Sequence, residues 1–180
     1  MNAVIATYAP QAGEGGLPCS PGPARSDRGR QAAKRETARP VSTLSRSPTK
    51  KARVLVADDN EEILKQVKST LRKDFEVAGV VSNGQALIET AVQIRPDAIV
   101  CDISMPVLNG LEAIRRLKEH GTTAAIVFLT IYRDAEFVEA AFCAGGLGYV
   151  LKVHLNSDLI PAIRSALAGQ RFVSPSISKP

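Results

Sequence analysis

The chain has no tryptophan, only 4% aromatic residues and just three cysteines in 180 positions. Cys19, Cys101 and Cys143 are odd in number and scattered, which excludes a disulfide framework and offers no zinc-ligand spacing. A reducing compartment follows, and a cytoplasmic location is expected. No apolar run approaches the roughly 18–20 residues that a spanning helix needs, so no membrane span is expected. A secretory signal is not expected either, because the apolar stretch Ala3–Ala9 is short and nothing basic precedes it.

Charge is present but unevenly placed. Residues 1–52 hold nine Lys/Arg against three acids, a balance of +6, and the rest of the chain sums to −1. The same stretch carries six of the eleven prolines and five of the thirteen glycines, and its apolar residues keep no period of 2 or 3.6. Such a segment buries too little apolar surface to offset about 1–2 kcal/mol of ordering entropy per residue. The expectation is a disordered basic leader over 1–52, a folded domain over 53–170 and a short C-terminal tail over 171–180. As a solvated tail the leader needs no role; a transit peptide or a weak phosphate-binding arm are the other readings.

At Arg53 the pattern changes. Arg53–Ala57 (RVLVA) is a short β-branched run, read as a buried strand. Asn60 follows as a helix N-cap, with Glu61 and Glu62 where the helix dipole favours anions. Ile63, Leu64, Val67 and Leu71 then mark one helical face. Further strands are expected at 75–81, 97–101, 124–129 and 147–151, and helices at 84–94, 109–119, 134–143 and 157–168. Five β-then-α units predict a flavodoxin-like (βα)5 fold, a doubly wound parallel α/β sheet of order 2-1-3-4-5. Pro161 conflicts with the last helix unless that helix starts late enough to hold it in the first turn.

In open α/β sheets, functional residues gather at the carboxyl ends of the strands. Those ends carry Asp58 and Asp59, Asp102, Thr130 and Lys152. Three crowded carboxylates repel unless a cation joins them, and oxygen ligands with room for water suit Mg²⁺ better than zinc. With such a cation present, a carboxylate oxygen of Asp102 can attack an electrophilic phosphorus. Lys152 and Thr130 would share the charge on the phosphoryl oxygens. His120 and His154 lack partner ligands and read as solvated loop residues. Cys101 and Cys143 read as small core hydrophobes.

At these residues the chain resembles the receiver domains of two-component response regulators. The matching phrases are Val54-Leu55-Val56-Ala57-Asp58-Asp59-Asn60, Asp102-Ile103-Ser104-Met105-Pro106 with Gly110, Thr130, and Gly148-Tyr149-Val150-Leu151-Lys152. The resemblance covers roughly 53–170. It implies phosphorylation of Asp102 by a sensor histidine kinase or phosphotransfer protein. It also implies Mg²⁺ held directly by Asp59 and Asp102, through water by Asp58, and by the Ser104 carbonyl. Thr130 and Tyr149 match the family's switch pair, and the first helix matches the surface on which kinases dock.

A finer resemblance is to the NarL/FixJ class, through Ala168-Gly169-Gln170-Arg171-Phe172-Val173-Ser174-Pro175. Members of that class normally continue into a DNA-binding helix-turn-helix, for which the five residues after Pro175 leave no room. Val153 stands where many receivers carry proline. The expectation is therefore a phosphorylatable receiver that is not an enzyme beyond its own phosphorylation and dephosphorylation. It would signal to an effector protein or a homodimer through the fourth helix, fifth strand and fifth helix. A DNA-binding regulator with a lost or replaced output domain is the alternative. An Asp-nucleophile, Mg²⁺-dependent phosphatase is the remote one, since that family starts from Asp-x-Asp on the first strand.

Overall fold

The computed structural model describes residues 51–177. All but the last two residues of the expected leader lie outside that range, as do the last three residues of the chain. In chain order the elements are β1 (Arg53–Ala57), α1 (Glu61–Leu71), β2 (Glu76–Val81), α2 (Gly84–Ile94), β3 (Ala98–Cys101), α3 (Gly110–Glu119), β4 (Ala125–Thr130), α4 (Ala135–Cys143), β5 (Gly148–Leu151), α5 (Leu155–Leu167) and β6 (Phe172–Val173). Among the described residues one parallel sheet contains all six strands, in the order β2-β1-β3-β4-β5-β6. The expected five-strand order is present, and Phe172–Val173, read from sequence as part of a tail, extend it by pairing with β5.

Side-chain alternation along the strands builds two cores, one on each face. Leu55, Ile99, Ile126 and Phe128 pack with Leu87, Ile114 and Leu117 from α2 and α3. Val54, Val56, Val100, Val127 and Val150 pack with Val67 and Leu71 from α1 and with Leu159 and Ile163 from α5. Burying a side chain of this size stabilises by about 1.5–3 kcal/mol. The helices therefore derive their stability mainly from these faces. Asparagine side chains fix three of their starts: Asn60 accepts from the Glu62 and Ile63 amides, Asn83 from Ala86 and Asn109 from Glu112.

Two expectations are corrected here. Helix α5 begins at Leu155, so Pro161 lies in its interior, beyond the first turn. Burial of Leu155, Leu159, Ala162, Ile163 and Ala166 holds the helix together despite the missing amide. Cys143 is exposed instead of being a core residue, whereas Cys101 is fully buried. Ala141 is the buried residue of α4, and two residues along a helix turn the chain about 200°, to the opposite face. Among the described residues every peptide bond is trans, including the one that joins Lys152 to Val153.

Gly110 brings α3 against the end of β3. A Cβ there would stand 1.9 Å from the Asp102 carbonyl oxygen and 2.8 Å from Cys101 Sγ. Backbone atoms cannot yield as a flexible side chain can. Gly110→Ala is expected to cost about 3 kcal/mol or more through overpacking. Chemical denaturation should read this as a lower midpoint with an unchanged slope.

Candidate functional site

Strand ends β1, β3 and β5 converge. Asp58 leaves β1 with its amide donating to the Val81 carbonyl at 3.1 Å, and the Asp102 amide donates to the Ala57 carbonyl at 2.9 Å. These bonds place two carboxylates side by side at 1% and 5% exposure, and the exposed Asp59 joins them. One oxygen from each of the three lies within 4.8 Å of the others. Two unit charges at that distance repel by about 3.5 kcal/mol at an effective dielectric of about 20.

Lys152, at the end of β5, answers part of that charge. Its Nζ lies 2.8 Å from Asp102 Oδ2 and 2.8 Å from Asp58 Oδ2. The Asp102 contact is a well-formed hydrogen bond, and Asp102 Oδ1 accepts from the Ile103 amide at 2.7 Å. The Asp58 contact is an attraction of charges without hydrogen-bond alignment, so the buried Asp58 Oδ2 keeps an unfilled acceptor. Asp58 Oδ1 accepts from the Asn60 amide at 3.0 Å.

Burial pushes the Asp102 carboxyl above its usual range; the Lys152 ammonium opposes that shift without cancelling it, and Asp58 adds to it. For Lys152 itself, burial favours the neutral amine. The Asp102 and Asp58 carboxylates outweigh it, and the ammonium is held above the usual lysine value. One cation against three carboxylates leaves a net negative, oxygen-lined site with an orphaned buried oxygen. That donor set fits a hard divalent cation such as Mg²⁺.

The remaining expected residues are placed as follows. Thr130 ends β4, fully buried, and its hydroxyl accepts from the Tyr132 amide at 3.5 Å. Ser104 is exposed in the connection after β3, two residues beyond Asp102. Tyr149 is buried within β5, with its hydroxyl donating to the Tyr132 carbonyl at 3.1 Å. The Tyr132 ring stacks on Phe137, with centroids 4.2 Å apart and planes 13° apart. This contact braces the loop that receives the Tyr149 hydroxyl. His120 is exposed at the end of α3, and His154 is partly exposed in the short turn before α5.

Burial, with the nearby Asp134 and Asp102 charges, pushes the Tyr149 phenol well above its usual value. An absorbance titration should therefore show a late phenol ionisation at high pH, and Tyr149→Phe should remove that late phase. Above the ordinary tyrosine range the unfolded chain loses the proton that the folded chain keeps, so stability falls as pH rises there.

Sequence reasoning did not single out Ser174 and Asp158, which bond to each other while Ser174 accepts from the Leu151 amide. The available signal was a small polar residue in front of Pro175, on a short stretch that pairs at the sheet edge.

Comparison with known proteins agrees with this geometry. Residues 54–164 match the response regulator receiver domain family. The nitrate/nitrite response regulator NarL of Escherichia coli K12 is 34% identical over 129 residues, 71% of this chain and 60% of its own length. The transcriptional regulatory protein PdtaR of Mycobacterium tuberculosis H37Rv is 34% identical over 123 residues, 68% of this chain and 60% of its own length. The chain thus spans about 60% of the length of these curated relatives.

Among solved structures, a LuxR-family two-component response regulator from Aurantimonas sp. SI85-9A1 is similar, with a TM-score of 0.68 and 28% identity. The match covers 71% of this chain and 93% of that one. The isolated receiver domain of RcsB from Salmonella enterica serovar Typhimurium, determined with phosphomimetic BeF3−, has a TM-score of 0.65 and 26% identity. That match covers 71% of this chain and 96% of that one. With the parallel sheet, the acidic cluster and the bridging lysine all in place, the chain belongs to the response regulator receiver domain family.

Proposed function

We propose that this chain is a phosphorylation switch in which Asp102 accepts a phosphoryl group from a histidine kinase or phosphotransfer protein. The observation that carries the reading is the Lys152 ammonium, 2.8 Å from both Asp102 and Asp58 and beside the third carboxylate of Asp59. A carboxylate oxygen of Asp102 attacks phosphorus, an O–P bond forms, and the P–N bond to the donor imidazole breaks. Lys152 then faces phosphoryl oxygens in place of the free carboxylate, and the Thr130 hydroxyl is the neighbouring donor. Asp58, Asp59, Asp102 and the Ser104 carbonyl are the groups that would hold Mg²⁺, which when bound supplies charge neutralisation on the phosphoryl oxygens.

Val107, Ile131 and Val153 support a protein donor. They are 85%, 67% and 67% exposed, and they follow the ends of the three strands that carry Asp102, Thr130 and Lys152. Exposed apolar side chains on the loops that leave these strand ends suit a docked helix. Signalling would follow from the added negative charge, which favours the arrangement with Thr130 and Lys152 turned toward it. The readout partner would meet the face of α4, β5 and α5, either as an effector or as a second copy. Among the described residues no helix is long and apolar enough to cross a membrane.

Incubation with acetyl phosphate and Mg²⁺ should add one phosphoryl group per chain, removable by hydroxylamine and lost with chelator. Rapid turnover of p-nitrophenyl phosphate would instead favour a phosphatase and overturn the reading.

A further inference from the structure

Ser174 lies outside the segment that matches the receiver family, yet it is fully buried. The β5–β6 ladder runs through Phe172 N–H to the Leu147 carbonyl at 2.9 Å and Ser174 N–H to the Tyr149 carbonyl at 2.9 Å. One rung further a continued strand would offer its main chain to Leu151. There the Leu151 amide donates to the Ser174 side-chain oxygen at 3.2 Å. The strand ends there, and the hydroxyl takes over the role of the missing main-chain acceptor.

That hydroxyl has a fixed orientation. It donates to Asp158 Oδ2 at 2.6 Å, and Asp158 Oδ1 accepts from Ser157 Oγ at 2.7 Å. Ser157 Oγ also lies 3.0 Å from the His154 carbonyl. Lys152 sits between these anchors. Its preceding residue is held by Ser174, and the Lys152–His154 turn after it leads directly into α5, whose first turn presents Asp158.

We propose that Ser174 and Asp158 are positioning residues for Lys152: they fix the end of β5 so that the ammonium reaches Asp102 and Asp58. The proposal rests on the phosphoacceptor reading and goes beyond it. A C-terminal strand outside the matched segment becomes part of the reaction centre. The Asp58, Asp59 and Asp102 carboxylates depend on β1 and β3 and need no support from this latch. Losing the latch should therefore alter phosphoryl transfer while leaving cation binding intact.

The test uses the full chain as wild type, Ser174→Ala, Asp158→Asn and the Ser174→Ala/Asp158→Asn double variant, with acetyl phosphate as donor. Initial phosphorylation rates are measured at saturating Mg²⁺, Mg²⁺ half-saturation is measured separately, and all assays run well below each variant's melting temperature. Ser174→Ala should lower the rate roughly tenfold, because displacing a reacting group by a fraction of an ångström has effects of this order. Its Mg²⁺ half-saturation should stay within about twofold of wild type. Asp158→Asn keeps one acceptor and should lose about threefold, with the double variant no slower than Ser174→Ala, as one shared network requires.

If Ser174→Ala does not fold, Asp158→Asn decides the matter by the same two readouts. A wild-type rate in a folded variant overturns the proposal. So does a parallel loss of rate and Mg²⁺ affinity, which general loosening of the domain would produce. A wild-type chain that takes no label refutes the phosphoacceptor reading itself, and the proposal with it.

Discussion

Asp102→Asn should abolish phosphorylation by acetyl phosphate, with a loss of at least about a thousandfold, while the fold survives. The amide is nearly isosteric but offers no anionic oxygen to attack phosphorus. Intact-mass spectrometry before and after incubation is the direct measurement, and label retained by the variant would move the phosphoacceptor to another residue. The same substitution carries a stability signature. Burial already holds the Asp102 carboxyl above its usual range, so the charged form is disfavoured in the folded state even with Lys152 beside it. A group with a raised folded value contributes stability below its unfolded pKa, and that contribution is lost as pH rises through the folded value. At neutral pH without divalent cation, Asp102→Asn should therefore melt no lower than wild type. Mg²⁺ binding to the wild type should weaken as pH falls into the range where Asp102 takes up its proton.

Lys152→Ala should have the second large effect. The lysine is the cation bridging two almost fully buried carboxylates, and its own side chain is 12% exposed. Removing one partner of a buried ion pair typically costs about 3–5 kcal/mol, because the charge left behind has neither water nor a counterion. Proton uptake by the remaining carboxylates limits that loss. In chelator at neutral pH the melting temperature should fall by on the order of 10 °C. The deficit should shrink toward pH 5, since protonation removes the uncompensated charge. It should shrink again with millimolar Mg²⁺, which replaces the missing positive charge. Phosphorylation at saturating Mg²⁺ should drop about a hundredfold, the usual scale for losing one group that stabilises developing charge. A variant that phosphorylates normally would show that Lys152 serves the folded state alone.

The expected five strands and five helices were legible because β-branched runs such as Arg53–Ala57 and Ala125–Thr130 alternate with segments of helical period. The carboxylate cluster was legible for a related reason. Once the strand order is known, the ends of β1, β3, β4 and β5 must follow one another along one sheet edge, and the residues there are Asp58, Asp102, Thr130 and Lys152. Three features were hidden. The sequence reading allowed Pro161 only in the first turn of the last helix, because it weighed the lost amide against local propensity alone; five buried residues on the α5 face outweighed it deeper in the helix. Cys143 was assigned to the core, because composition says nothing about helical phase at the last position of a helix. Strand β6 is two residues long, too short to show any period.

By itself, the order of residues determined which side chains could form the acidic centre, since strand ends and sheet order are local patterns plus one topological rule. Tertiary structure alone decided how those groups are held: the lysine bridging two carboxylates, the tyrosine turned inward onto a loop carbonyl, and the serine just after the last strand fastened to β5 and α5. The physical reason is range. Periodicity and turn chemistry act over a few residues, whereas these contacts join positions 16 to 94 apart whose alignment depends on the packed sheet.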